Sequence, residues 1–266
     1  MDHLSFTHYG VHYIADTSNS IDISIAIDFA SSKVRAFGAP DPVAAPLAVG
    51  GFVGDVNRGG SCNCCTYTLT PHCNGTHTEC VGHITHESMS INRIAPRSLL
   101  FAAVVSVTPE IIGTASGHDR VITCAMLQQT LHNHRNCNAV IVRTLPNNQK
   151  LNINYDSLNP AYFAEDTLQW LASIGVDHLL TDLPSVDRMN DNGLLLAHRA
   201  FWGMPRGSTI LSNARRGQAT ITELIFVPDT VADGNYLLNL QVAPMITDAA
   251  PSRPLLYPIR KVMEPV

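Results

Sequence analysis

The sequence predicts an α/β protein, and three stretches carry that prediction. NPAYFAEDTLQWLASIGVDHLLTD (159–182) reads as a helix running directly into a strand. LLFAAVVSV (99–107) and NAVIVRT (138–144) are unbroken apolar runs of strand length, the pattern of strands covered on both faces. ATITELIFVP (219–228) and YLLNLQVAPM (236–245) add strand-like segments near the end.

Taken in order, IDISIAI (21–27) alternates apolar and polar side chains and predicts a strand. Residues 38–60 are rich in Gly, Ala and Pro, which predicts a long loop with short extended pieces. Pro96 and Pro109 bound the strand at 99–107. VITCAMLQQTLHNHR (121–135) sets Leu127 and Leu131 at helical spacing, with Thr123 in the N-cap position. In 159–175, Asn159 suits the N-cap and Pro160 the first turn, and Glu165 and Asp166 lie near the positive end of the helix. Leu168, Leu171 and Ala172 share a face, and Gly175 ends the helix. VDHLLTD (176–182) then predicts a strand. A turn at Asp233-Gly234 joins the two C-terminal strands as a hairpin. No repeat or linker divides the chain, so a single domain over 1–266 is expected, with 1–20 as an N-terminal extension.

Composition narrows the function. The chain has 266 residues and a net charge of −5, and no basic run exceeds a pair such as Arg215-Arg216. A nucleic-acid binder needs a basic stripe, so that class is set aside. The N-terminal MDHLSFTHYGVHYIAD lacks the basic and apolar regions of a signal peptide, and no apolar run reaches the ~18 residues of a membrane span. No membrane partner and a cytoplasmic location are therefore expected. Charged residues are only 15% of the chain, a surface poor enough in charge to expect burial between subunits. Seven cysteines, two of them adjacent at Cys64 and Cys65, predict reduced thiols rather than a disulfide framework.

The chemistry is concentrated in HCNGTHTECVGH (72–83), with three histidines, two cysteines and a glutamate. If 73–79 is extended, Cys73, Gly75, His77 and Glu79 share one face, and His83 has the same parity. Thiolate, imidazole and carboxylate all ligate zinc or a similar divalent ion, and Gly75 would leave a gap on that face. Three ligands and an open position is the catalytic pattern. Two readings stand beside it: a closed structural zinc site using Cys62, Cys64 or Cys65 with Cys73 and Cys80, and a cysteine-rich strand holding no metal.

GTHTECVGH (75–83) resembles the HxGTHxDxPxH signature of the cyclase family, which includes bacterial kynurenine formamidase and isatin hydrolase. The resemblance continues in order along the chain. IDIS (21–24) is similar to the family's opening strand. AEDTLQWLASIGVDHLLTDLPSVD (164–187) is similar to its helix, strand and TDxPSVD segment. AHRAFWG (197–203) resembles the segment carrying a later histidine. TELIFVPDTVADGNYLLNLQVAPM (222–245) resembles a closing hairpin that begins with a glutamate. The resemblance implies a swivelling β/β/α fold with mixed sheets and central helices, assembled as a homodimer or homotetramer. It also implies metal-dependent hydrolysis of an amide, N-formyl amide, cyclic amide or lactone, in a small-molecule substrate.

By position, the resemblance assigns metal ligation to Cys73, His77, Glu79, His198 and Glu223 and proton transfer to His83. The cofactor expected is one or two divalent ions, zinc first and manganese as the alternative. This sequence departs from the family pattern in three places. Cys73 stands where the family has its first histidine, Glu79 where it has aspartate, and Val81 where it has proline. His72 is off by one and, on a strand, would face away. MPRGSTILSNARRG (204–217) reads as an insertion. The departures keep open a second function, a catalytically inactive binding protein for a small molecule.

Overall fold

The computed structural model describes residues 2–31, 34–94, 99–114, 117–134, 136–147 and 150–262. Among the described residues, seven strands of a ten-stranded sheet form its central barrel: β1 (His77–Glu79), β2 (Leu100–Val107), β3 (Ala139–Thr144), β4 (His178–Thr181), β5 (Thr220–Glu223), β6 (Gly234–Val242) and β7 (Ala249–Lys261). They follow the order β7-β6-β2-β3-β4-β5-β1, and β1 pairs back onto β7, so the sheet closes like a barrel. Neighbours from β2 through β5 are parallel, and the remaining pairs are antiparallel. Among the described residues four α-helices accompany the sheet: α1 (Pro71–Asn74), α2 (Cys124–Leu131), α3 (Glu165–Ser173) and α4 (Leu196–Trp202). The fold is mixed α/β, as the sequence predicts.

The apolar runs explain the layers. Successive strand residues face opposite sides. Leu100, Ala102 and Val104 of β2 join Ala139, Ile141, Leu180, Leu238 and Leu256 in one core. Phe101, Ala103, Val105 and Val107 face the other way, onto Leu127, Leu131, Leu168, Leu171, Phe201 and Trp202 from α2, α3 and α4. A strand apolar on both faces is what such double cover requires. Among the described residues no helix is long and apolar enough to cross a membrane.

Several local expectations are corrected. The helix predicted at 159–175 begins only at Glu165, because Tyr162–Phe163 pair in parallel with Val121–Ile122. Asn159 instead donates its amide to the His118 carbonyl. The same pairing holds 121–122 extended, and α2 starts at Cys124 with Thr123 in the N-cap position, as the sequence predicts, although the Thr123 side chain makes no cap bond. Arg135 and Pro96 lie outside the described residues. Only Ile21–Asp22 of the predicted first strand pairs as a strand, supplemented by a bridge from Ser24 to Ile225. The strand at 219–228 stops at Glu223, where Leu224 takes a left-handed φ of 54°.

The predicted C-terminal hairpin is not formed. β5 lies between β4 and β1, while β6 pairs with β2 and with β7, a strand the sequence reading did not find. Within residues 1–20, His3–His8 and Val11–Asp16 form a hairpin, and Val11–Asp16 pairs with β7, Tyr13 opposite Lys261 and Ala15 opposite Ile259.

Candidate metal centre

One local difference decides the site. Residues 73–79 are not a continuous strand. Pro71, with its fixed φ, opens a single helical turn, α1, and the chain becomes a strand only at His77. On a helical turn neighbouring side chains lie ~100° apart, so the two-residue alternation that turned His72 outward does not apply. His72 reaches the cluster. Its Nδ1 is 3.0 Å from Glu79 Oε2 and its Nε2 is 2.9 Å from Asp248 Oδ2. Gly75 opens no gap for a ligand. A Cβ there would meet Ile27 Cγ1 at 2.8 Å and the Ile25 carbonyl at 3.0 Å, so glycine allows the chain to cross that segment closely.

With α1, which carries His72, five elements meet around Glu79. β1 supplies His77 and Glu79 two residues apart on one face. β5 places Glu223 directly opposite His77. α4 supplies His198, and the 3-10 turn Val81–Ile84 carries His83. Glu79 Oε1 is 2.9 Å from His198 Nε2, and Glu79 Oε2 is 4.0 Å from His83 Nε2. Glu223 lies 3.5 Å from His77 Nε2 and 3.8 Å from His198 Nε2. His77, Glu79, His198 and Glu223 are buried, while His72 and His83 are half-buried at the rim.

Each histidine has one nitrogen anchored outward by an acceptor. His77 Nδ1 donates to the Gly75 carbonyl at 3.1 Å, and His198 Nδ1 donates to Asp187 at 2.5 Å. His72 Nε2 and His83 Nδ1 both donate to Asp248 Oδ2, at 2.9 and 3.3 Å. The four remaining nitrogens face the two glutamates. Donors sharing one ion at ~2.1 Å lie roughly 3–4 Å apart, the spacing seen here. His77 Nε2 and Glu79 Oε2 are buried without a hydrogen-bond partner, with His72 Nδ1 3.0 Å from Glu79 Oε2. Two such orphans aimed at each other's surroundings are what a cation accounts for.

Charge states agree. Burial alone would lower the His72 imidazolium, but Asp248 and Glu79 outweigh it and raise the group to about 10. Burial opposes the charged His198 too, and Glu79 and Asp187 lift it well above its ordinary value. Glu79 is held well below the carboxylate range by His83 and His198 despite its burial. The cluster thus retains positive charge, as protons or as a metal ion. The donor set fits a divalent cation.

The sequence-predicted residues fall into two groups. His77, Glu79, His83, His198 and Glu223 come together. Cys73 lines the same cavity, but among the described residues every His/Cys/Asp/Glu group with ligand atoms within 4.8 Å contains histidine and carboxylate and no cysteine. Burial and the nearby Glu223 push the Cys73 thiol up to about 11, so it is neutral at pH 7. All seven cysteines are free thiols, with Cys62 and Cys64 exposed. His72, Asp248 and the ring-anchoring role of Asp187 were missed. Asp187 does cap a turn, accepting from the Ala197 and His198 amides, but it also holds the His198 ring.

The cluster floors a cavity of about 440 Å³, walled by Phe37, Met189 and Leu195. Arg188 at its edge is engaged by Asp119.

A family model described as "Putative cyclase" matches residues 21–188. The chain belongs to the cyclase family. The match includes His72 to His83 and Asp187 and ends before His198, Glu223 and Asp248, which the fold brings to the site. Similar solved structures include a "predicted metal-dependent hydrolase" from Bacillus stearothermophilus, with TM-score 0.59 and 17% identity over 90% of this chain and 98% of that one. Isatin hydrolase A from Labrenzia aggregata, bound to benzyl benzoate, gives 0.63 and 12% over 90% and 93%. An isatin hydrolase bound to the product analogue thioisatinate gives 0.60 and 12% over 91% and 92%. These similarities establish a cyclase-family fold. No curated protein matches the chain.

Proposed function

We propose that this cyclase-family chain is a metal-dependent hydrolase that opens an amide, N-formyl amide or cyclic amide of a small molecule. The observation carrying this reading is the set of four outward-anchored histidines whose free nitrogens face Glu79 and Glu223 at the floor of one cavity. His72, His77, Glu79, His198 and Glu223 would hold a divalent ion, zinc or manganese. His72 takes the place that the family pattern gives to position 73. A bound divalent ion supplies a Lewis acid that polarises a carbonyl and brings the pKa of a water to roughly 7.

The chain's own groups do the rest. Glu79 and Glu223 supply the negative charge that retains the ion. Glu223 is itself fixed, accepting from the Val186 amide at 2.8 Å. His83 is the proton carrier. Its Nδ1 is held by Asp248, which leaves Nε2 as the basic nitrogen facing the floor, and there it takes the water's proton and passes it to the leaving nitrogen. Phe37, Met189 and Leu195 suit an apolar or aromatic substituent beside the scissile bond. The structural relatives named for isatin hydrolysis are consistent with a cyclic aromatic amide.

The test is purified protein assayed for metal content and against N-formyl anilides, cyclic amides and lactones. The proposal expects at least one divalent ion per chain and ring opening that stops with a chelator and returns with the ion. Metal without turnover of any of them favours the binding-protein reading. Absence of metal binding removes both the site and the mechanism.

A further inference from the structure

Asp248 lies at the end of the loop before β7, where its backbone carbonyl accepts from the Cys80 amide at 3.0 Å. That bond fixes it beside the segment carrying His83. Its Oδ1 is turned by the Thr247 hydroxyl at 3.0 Å, which leaves Oδ2 aimed at two imidazoles. The rings of His72 and His83 lie 4.3 Å apart and tilted by 32°, and Oδ2 accepts from the outer nitrogen of each. Their inner nitrogens then converge on one atom, Glu79 Oε2, from 3.0 and 4.0 Å.

The structure contains a simpler arrangement for comparison. Asp187 anchors one ring, His198, and caps α4. Asp248 anchors two rings that the proposed function gives different tasks, one to hold the ion and one to move a proton. We infer that Asp248 is a shared positioning residue, fixing the tautomer and aim of both His72 and His83 and so coupling cation retention to proton transfer. The inference rests on the proposed function for the His83 half; the His72 half needs only a bound cation.

The charge of the carboxylate is what holds both rings. One carboxylate oxygen accepts from two N–H groups, and charge-assisted bonds are roughly twice as strong as neutral ones. An amide at the same position keeps an acceptor oxygen but not the charge, so its hold on the two outer nitrogens is weaker and each is unpaired for more of the time. With its outer nitrogen unpaired, a ring is free to rotate or to put its proton on the inner nitrogen, where it can neither ligate nor accept.

The experiment compares wild type, Asp248→Asn, Asp248→Ala, His83→Ala and the double variant His83→Ala/Asp248→Asn. Zinc affinity is measured by competition with a chromogenic chelator, and kcat and KM are measured at saturating zinc on the best amide substrate. Asp248→Asn should weaken zinc about 10- to 100-fold, the usual loss when the partner of a ligating histidine is removed. It should weaken zinc to the same extent in the His83→Ala background, because that loss acts through His72. At saturating zinc, Asp248→Asn should lower kcat by at least about 10-fold with little change in KM, and it should lower kcat no further once His83 is absent.

Equal kcat losses with and without His83 would mean that Asp248 merely supports the loop, and would overturn the His83 half. Unchanged zinc affinity in both Asp248 variants would overturn the His72 half. If no amide is turned over, the proposed hydrolysis fails and the His83 half fails with it. The zinc measurements still decide the His72 half.

Discussion

The pair His72→Ala and Cys73→Ala separates the two ways of reading the start of the metal motif. The side chains are adjacent, and each lines the cavity. Of the two, His72 places a nitrogen 3.0 Å from Glu79, and among the described residues no ligand group within 4.8 Å includes the Cys73 sulfur. A structural zinc site of four donors is worth ~10–16 kcal/mol, so one donor accounts for roughly 3 kcal/mol, or about two orders of magnitude in Kd. His72→Ala should therefore weaken zinc about 100-fold. Cys73→Ala removes a neutral, buried thiol and should change zinc affinity by less than about 3-fold, while costing ~1 kcal/mol of stability as a small core truncation. Competition with a chromogenic chelator gives both affinities, and urea unfolding gives the stability. If Cys73→Ala strips the ion and His72→Ala keeps it, the helical turn at 71–74 does not present the ligand, and the strand reading of the motif is restored.

Three other outcomes are expected. His83→Ala should keep its metal content and lose about 10²–10⁴-fold in kcat, the range for a general acid–base group, as read by metal analysis beside steady-state kinetics. In the metal-free protein, the folded His72 pKa of about 10 lies above the ordinary 6.5. Its stabilisation is then complete below pH 6.5 and lost as pH rises through 10, so Tm should fall across that window in chelator and fall less in zinc. Gly75→Ala should destabilise the fold by ~1–3 kcal/mol through the contacts with Ile27 and the Ile25 carbonyl, measured by urea unfolding.

The core of the fold was legible because its strands are covered on both faces. The apolar runs at 99–107 and 138–144 appear as β2 and β3 with nearly the predicted bounds. What failed was pairing over long sequence distances. Nothing local in ATITELIFVP indicates that its neighbour is His77–Glu79 rather than the strand 11 residues on. Asn159 and Pro160 carry helix-start chemistry, but the pairing of Tyr162–Phe163 with Val121–Ile122 prevails over it.

The site divides in the same way. His77, Glu79, His83, His198 and Glu223 stand out because the motif and the family resemblance concentrate ligand chemistry at those positions. His72 was lost by assuming an alternation that Pro71, visible in the sequence, gives reason to doubt. Asp187 lies in a segment whose sequence carries turn-capping chemistry, and that is half of what it does, since it also holds the His198 ring. Asp248 carries no local signal. It reaches His72 and His83 only through the β1–β7 register, which holds the Cys80 amide to its carbonyl.

The most direct measurement is a crystal structure of the zinc-loaded protein with anomalous diffraction collected on both sides of the zinc edge. The account predicts an anomalous peak between the inner nitrogens of His72, His77 and His198 and the carboxylates of Glu79 and Glu223, with His83 nearby and unligated. A peak bound to the Cys73 sulfur or to the Cys62–Cys65 loop, or no peak within reach of Glu79, would contradict it.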